Sequence, residues 1–92
     1  MKGGNVQEFL DTLSLGIEKE FKFRDRTLFA QGGVKDGVWT MTVDQWDPPV
    51  EDYIWSTQGE TMEQCFNEFL EARIFDGRTF WDTESEMEWV AG

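Results

Sequence analysis

From Thr61 onward, apolar residues recur at steps of three and four: Met62, Cys65, Phe66, Phe69 and Leu70, with Glu63, Asn67, Glu68 and Glu71 between them. Only a helix gathers such a set on one side, and a helix with one apolar side needs another layer to bury it. Its start is fixed by chemistry. Thr61 and Gln64 have capping-box spacing, in which the hydroxyl accepts from one orphan backbone N–H and the side-chain amide reaches back to another. Asp76-Gly77 marks the far limit, because Gly accepts the positive φ of a tight reversal, so the helix is expected to stop between Arg73 and Phe75.

The chain before this helix supplies the missing layer. Asn5 and Glu8 open a first short helix carrying Val6, Phe9, Leu10 and Leu13, and Gly16 sits where its C-terminal cap belongs. The period then changes to two. Ile17, Lys19, Phe21 and Phe23 alternate with Glu18, Glu20, Lys22 and Arg24, which reads as a strand. Asp25-Arg26 serves as the hairpin turn, Thr27–Gln31 as the second strand, and the glycine-rich stretch 32–37 as a loop. No Gly-Lys-Ser/Thr follows those glycines and a strand comes next, so the helix N-terminus of a phosphate cradle is missing. Val38–Trp46 alternates most clearly, with Trp39, Met41 and Val43 on one side. Asp47-Pro48-Pro49 ends it, since proline cannot donate to a ladder. Tyr53–Thr57 forms the fourth strand. The expected fold class is α+β: an antiparallel four-stranded meander packed against an N-terminal and a C-terminal helix, with a short extra helix or strand at the C-terminus. Thr79 and Asp82 would cap the extra helix. Glu84, Glu86 and Glu88, alternating with Ser85, Met87 and Trp89, would place three carboxylates on one face of an edge strand.

Ninety-two residues hold one domain and one modest core. Residues 1–4 are expected to be a disordered tail. Fourteen aromatic residues are a heavy load for this length, and any left on the surface would serve as contact anchors. Catalysis near neutral pH draws on groups that titrate there, and the chain has no His; its single Cys65 lies on an apolar helix face with nothing to activate it. The expectation is a non-enzyme without cofactor. Neither DQWDPPVED nor DTESEMEWV follows the order of an EF-hand loop. No apolar run approaches the roughly 18 residues of a membrane span and no secretory signal is visible, so the expected location is cytoplasmic.

Charge is the most unusual property. Residues 1–43 carry six acids and six bases, whereas residues 44–92 carry thirteen acids and only Arg73 and Arg78, so the whole net charge of −11 belongs to the second half. Such a field repels nucleic acid and anionic lipid and attracts basic surfaces, although solubility alone also accounts for acidity. The candidate partner-binding residues are Asp44, Asp47, Glu51, Asp52, Glu84, Glu86 and Glu88, with Trp46 and Trp81 as anchors.

The order helix, meander, helix, followed by Arg73-Ile74-Phe75-Asp76-Gly77-Arg78-Thr79, resembles small uncharacterised proteins of Gram-positive bacteria and their mobile elements. Those show a helix running into a basic-Ile-Phe-Asp-Gly-basic-Ser/Thr turn and another short helix. The resemblance implies the fold and a bacterial or phage setting, and brings no catalytic residues. With the charge, it leads to the expectation of an inhibitor that occupies a basic, nucleic-acid-binding protein surface, as a phage anti-CRISPR does by mimicking nucleic acid. The alternatives are an immunity protein neutralising a basic nuclease toxin, and a small-ligand or metal-binding domain. Direct binding to nucleic acid or membrane is not expected, and both monomer and homodimer remain open.

Overall fold

The period-two segments become strands and the period-3.6 segments become helices, each laying its apolar side on the same core. The structure, a computed structural model, describes residues 1–92. In chain order it contains α1 (Val6–Leu13), β1 (Lys19–Phe23), β2 (Arg26–Lys35), β3 (Val38–Asp47), β4 (Trp55–Gly59), α2 (Met62–Glu71), α3 (Phe80–Thr83), a 3-10 turn (Glu84–Glu86) and β5 (Met87–Ala91). The fold is α+β, with one five-stranded antiparallel sheet in the order β4-β3-β2-β1-β5. The first four strands form the expected meander. The last strand returns to pair with β1, Phe23 opposite Met87 and Lys22 opposite Glu88.

All helices cover one face. Phe9, Leu10 and Leu13 of α1, Met62, Cys65 and Phe69 of α2, and Phe80 of α3 are buried in one cluster with Phe21, Phe23, Leu28, Ala30, Met41, Val43 and Met87 from the sheet. Phe75, between α2 and α3, lies at its centre, with ring centroids 5.6 to 6.3 Å from those of Phe21, Phe23, Phe69 and Phe80. The opposite sheet face carries no helix. Its cross-strand rows read Glu20–Phe29–Asp44, Gln31–Thr42–Ser56 and Gly33–Thr40–Gln58.

Helix starts follow the side-chain chemistry. Asn5 Oδ1 accepts from the Glu8 N–H at 3.0 Å, and Thr61 Oγ1 from the Gln64 N–H at 3.1 Å. The Gln64 amide reaches one residue farther back than a capping box requires, its Oε1 accepting from the Glu60 N–H at 3.0 Å. The complete box occurs at Thr79 and Asp82, where each side chain accepts from the other's N–H at 3.3 Å. Asp82 is thereby held below the ordinary aspartate range, mainly by the Thr79 N–H.

Several expectations need correction. Gly32 and Gly33 are strand residues, and the reversal is the two-residue Asp36-Gly37 turn, both residues at positive φ. Gly32 packs closely: its N–H donates to the Gly16 carbonyl at 3.2 Å, and a Cβ there would lie 3.3 Å from Gly16 Cα and 2.5 Å from the movable thioether end of Met62. The first hairpin turns at Arg24-Asp25, with Arg26 already opposite Phe23. The fourth strand is shifted two residues, to Trp55–Gly59. Helix α2 stops at Glu71, and Phe75 and Arg78 instead close a small hairpin over Asp76-Gly77, exchanging N–H···O bonds of 3.1 Å. Residues 1–4 are not a free tail, because the Lys2 N–H donates to the Met87 carbonyl and the Trp89 N–H to the Lys2 carbonyl, both at 2.8 Å. Finally, Glu84 and Glu86 lie in a 3-10 turn, so they share no strand face with Glu88.

Candidate protein-binding surface

The acidic candidates fall into two groups that the sheet holds apart. Asp44, Trp46 and Asp47 belong to β3, with Glu51 and Asp52 in the loop that follows; Glu84, Glu86 and Glu88 lie in or beside β5. Two strands, β2 and β1, separate β3 from β5, a distance of roughly 14 Å at ordinary strand spacing.

Two of the three carboxylates near β5 are already occupied. Glu84 pairs with the Met1 ammonium at 2.9 Å, and Glu86 accepts from Arg24 Nε at 3.0 Å. The same guanidinium donates through Nη1 to Asp76 Oδ2 at 2.6 Å, while Arg26 Nη2 reaches Asp76 Oδ1 at 2.8 Å. Arg24 is accordingly held more firmly protonated, first through its hydrogen bond to Glu86. Glu88 stands opposite Lys22 in the register of β1 and β5. The Met1 ammonium, Arg24 and Arg26 are thus committed to Glu84, Glu86 and Asp76, while Glu88 makes no ion pair.

The group near β3 and β4 has no such compensation. From Asp44 to Glu71 the chain contains eight carboxylates and no Lys or Arg. The four ion pairs in the structure involve only Asp76, Glu84 and Glu86 on the acidic side. Asp44, Glu51 and Asp52, with Val50 and Tyr53, line a shallow recess of about 310 Å³. Tyr53, 56% exposed, also borders a second recess of about 260 Å³ on the uncovered sheet face, beside Gln31, Thr40 and Thr42. On the other side of β4, Glu63, Glu68 and Glu71 line the outer side of α2 with Gln64 and Asn67. Glu68 is tied to the strand, its Oε2 accepting from the Thr57 hydroxyl at 2.9 Å. No three Asp, Glu or Cys side chains converge as ligands of one metal ion would.

The two proposed anchors are both exposed, Trp46 at 46% and Trp81 at 51%. They face opposite ways. Trp46 stacks on Phe29, centroids 4.2 Å apart, on the uncovered sheet face, whereas Trp81 extends α3 on the helical side, its ring meeting Phe80 edge-on at 5.9 Å. One flat partner surface cannot use both, and Trp46 is the one beside Asp44.

Sequence reasoning missed Tyr53 and the α2 carboxylates as parts of this surface. The signal was present, since the absence of any base between residues 44 and 71 marks one continuous uncompensated segment. The late carboxylates drew attention by their alternation, yet their partners Arg24 and Met1 come from the other end of the chain. No helix is long and apolar enough to cross a membrane. No protein-family model, curated protein or solved structure matches the chain.

Proposed function

We propose that this chain is a small acidic protein-binding module of the cytoplasm that acts by binding rather than by catalysis. In this reading it is an inhibitor that occupies a basic, nucleic-acid-binding surface of a partner, as a phage anti-CRISPR or other anti-defence protein does. The observation that supports it most is the run from Asp44 to Glu71, whose eight carboxylates lack any ion pair, whereas Asp76, Glu84 and Glu86 are ion-paired within the chain. Unpaired carboxylates in one region project a field that steers and holds a cationic partner. An immunity protein blocking a basic nuclease toxin would use the same surface, and the identity of a captured partner decides between them.

The test is affinity capture of partners followed by binding measurements across salt. The expected result is a fall of about tenfold or more in affinity from low to several-fold higher ionic strength, because exposed charges are screened. A partner held equally well at both would overturn the reading. The small-ligand alternative takes its support from the Tyr53 recess of about 310 Å³. Thermal stabilisation by a cationic metabolite or divalent ion, with no protein captured, would favour it.

A further inference from the structure

The two edges of the sheet are treated differently. At the β5 edge, Lys2 pairs in parallel with Glu88 and exchanges backbone hydrogen bonds with Met87 and Trp89, and Gly3 packs so closely that a Cβ would lie 2.4 Å from the Trp89 carbonyl oxygen. Along Met87–Trp89 that edge is covered. At the other edge, β4 pairs with β3 on one side and with nothing on the other.

Exposed edges are ordinarily guarded by charges, proline or a bulge on the strand itself. The segment Trp55-Ser56-Thr57-Gln58-Gly59 has no charged residue and no proline, and it keeps an unbroken register with β3 from Trp55 to Gly59. Its five residues offer about 17 Å of backbone with unpaired N–H and C=O groups. The guards stand beside the strand instead. Glu68 of α2 is fastened to Thr57, and Asp44 lies on β3, with Glu51 and Asp52 in the loop leading into β4.

We propose that β4 is the docking strand for the basic partner: an extended lysine- or arginine-rich segment adds to its free edge as a sixth strand. This deepens the reading above and rests on it. Main-chain hydrogen bonds supply the geometry of such strand addition, and flanking side chains supply selectivity. Charge complementarity chooses the occupant. A second copy adding through its own β4 would set these carboxylates against themselves, whereas a cationic segment neutralises them on both sides of the strand. The unpaired edge is thus closed to self-association and open to a basic chain.

The test uses the full chain and three short synthetic peptides: one of alternating Lys and Thr, the same peptide N-methylated at alternate backbone nitrogens, and one of alternating Glu and Thr. N-methylation keeps the charge and removes the donors of one edge, and it leaves the protein's own folding untouched. The expected result is that the Lys-Thr peptide shifts the Trp55–Gly59 amide resonances and slows their hydrogen exchange. The N-methylated form then binds about tenfold more weakly, and the Glu-Thr form does not bind. Equal binding of the two cationic peptides, or shifts confined to the outer side of α2 or the Tyr53 recess, overturns the docking strand. So does a homodimer through β4 that excludes the peptide. If the Lys-Thr peptide fails while a basic protein is still captured in a salt-sensitive way, the strand proposal falls and the acidic-surface reading stands; failure of both removes that reading too.

Discussion

Arg24 donates through Nε to Oε1 of Glu86 at 3.0 Å, although 62 positions separate them in the chain. Glu86 lies beside β5, roughly 14 Å from β3, so the loss of its charge should be felt only weakly at the Asp44–Asp52 surface, which a binding experiment can detect. Glu86→Gln is expected to change affinity for a basic ligand by less than about twofold, whereas Glu51→Gln combined with Asp52→Asn weakens it roughly threefold to tenfold. Isothermal titration at low salt measures both. Equal losses would mean that total charge, rather than its placement, governs binding.

Phe75 joins the two ends of the core. Its ring meets Phe21 and Phe23 from β1, Phe69 from α2 and Phe80 from α3, and it is fully buried. Phe75→Ala should destabilise the fold by about 3–5 kcal/mol, and Phe75→Leu should cost less, because it keeps much of the volume. Urea denaturation followed by circular dichroism reports both.

Gly32 and Met62 are complementary in volume, and the pair predicts a coupling. Gly32→Ala places a methyl 2.5 Å from the thioether end of Met62, which must swing aside, and should cost about 1 kcal/mol. Adding Met62→Ala opens that space, so the double variant should lose less than the sum of the single losses, by about 1 kcal/mol. A double-mutant cycle on unfolding free energies measures this, and strict additivity would count against the packing account.

Alkaline pH should pull on the fold in two directions. Lys19 is only 1% exposed, with its Nζ 5.1 Å from the Trp89 ring centroid; desolvation lowers its pKa from the usual 10.5, against the pull of Glu8 and Glu18. Between its lowered value and 10.5 the unfolded chain binds more protons, so Lys19 makes stability rise with pH. Burial pushes the Cys65 thiol above its usual 9.0, helped by Glu68. Above 9.0 the native state holds that proton longer, so Cys65 makes stability fall as pH rises through its folded value. Lys19→Met should remove the rising contribution and Cys65→Ala the falling one, read as the slopes of urea midpoints from about pH 8 to 11. Unchanged slopes in both variants would contradict this account.

Much of the fold was legible because local signals agreed with the long-range ones. Met62, Cys65 and Phe69 face the core as their spacing requires, and Met41 and Val43 do the same in β3. Gly32 misled because its meaning lies in Gly16 and Met62, contacts no short window contains. The Asp36-Gly37 hairpin could have been read from its dipeptide, as Asp76-Gly77 was, had the neighbouring glycines not suggested a longer loop. For the surface, the segregation of charge was readable by counting. Its partition into paired and unpaired carboxylates was not, since that depends on β5 returning beside β1 and bringing Glu86 to Arg24.

The core is built of phenylalanine and its margins of tryptophan: Phe9, Phe21, Phe23, Phe69, Phe75 and Phe80 are fully buried, while none of the five tryptophans is. The molecule therefore carries its fluorophores where a visitor would land. Trp46, lying flat on Phe29, and Trp81, on the far side of the sheet, differ in which approach would shield them from a quencher dissolved in water. With each replaced in turn by Phe, the native chain becomes its own optical probe of which face has been covered.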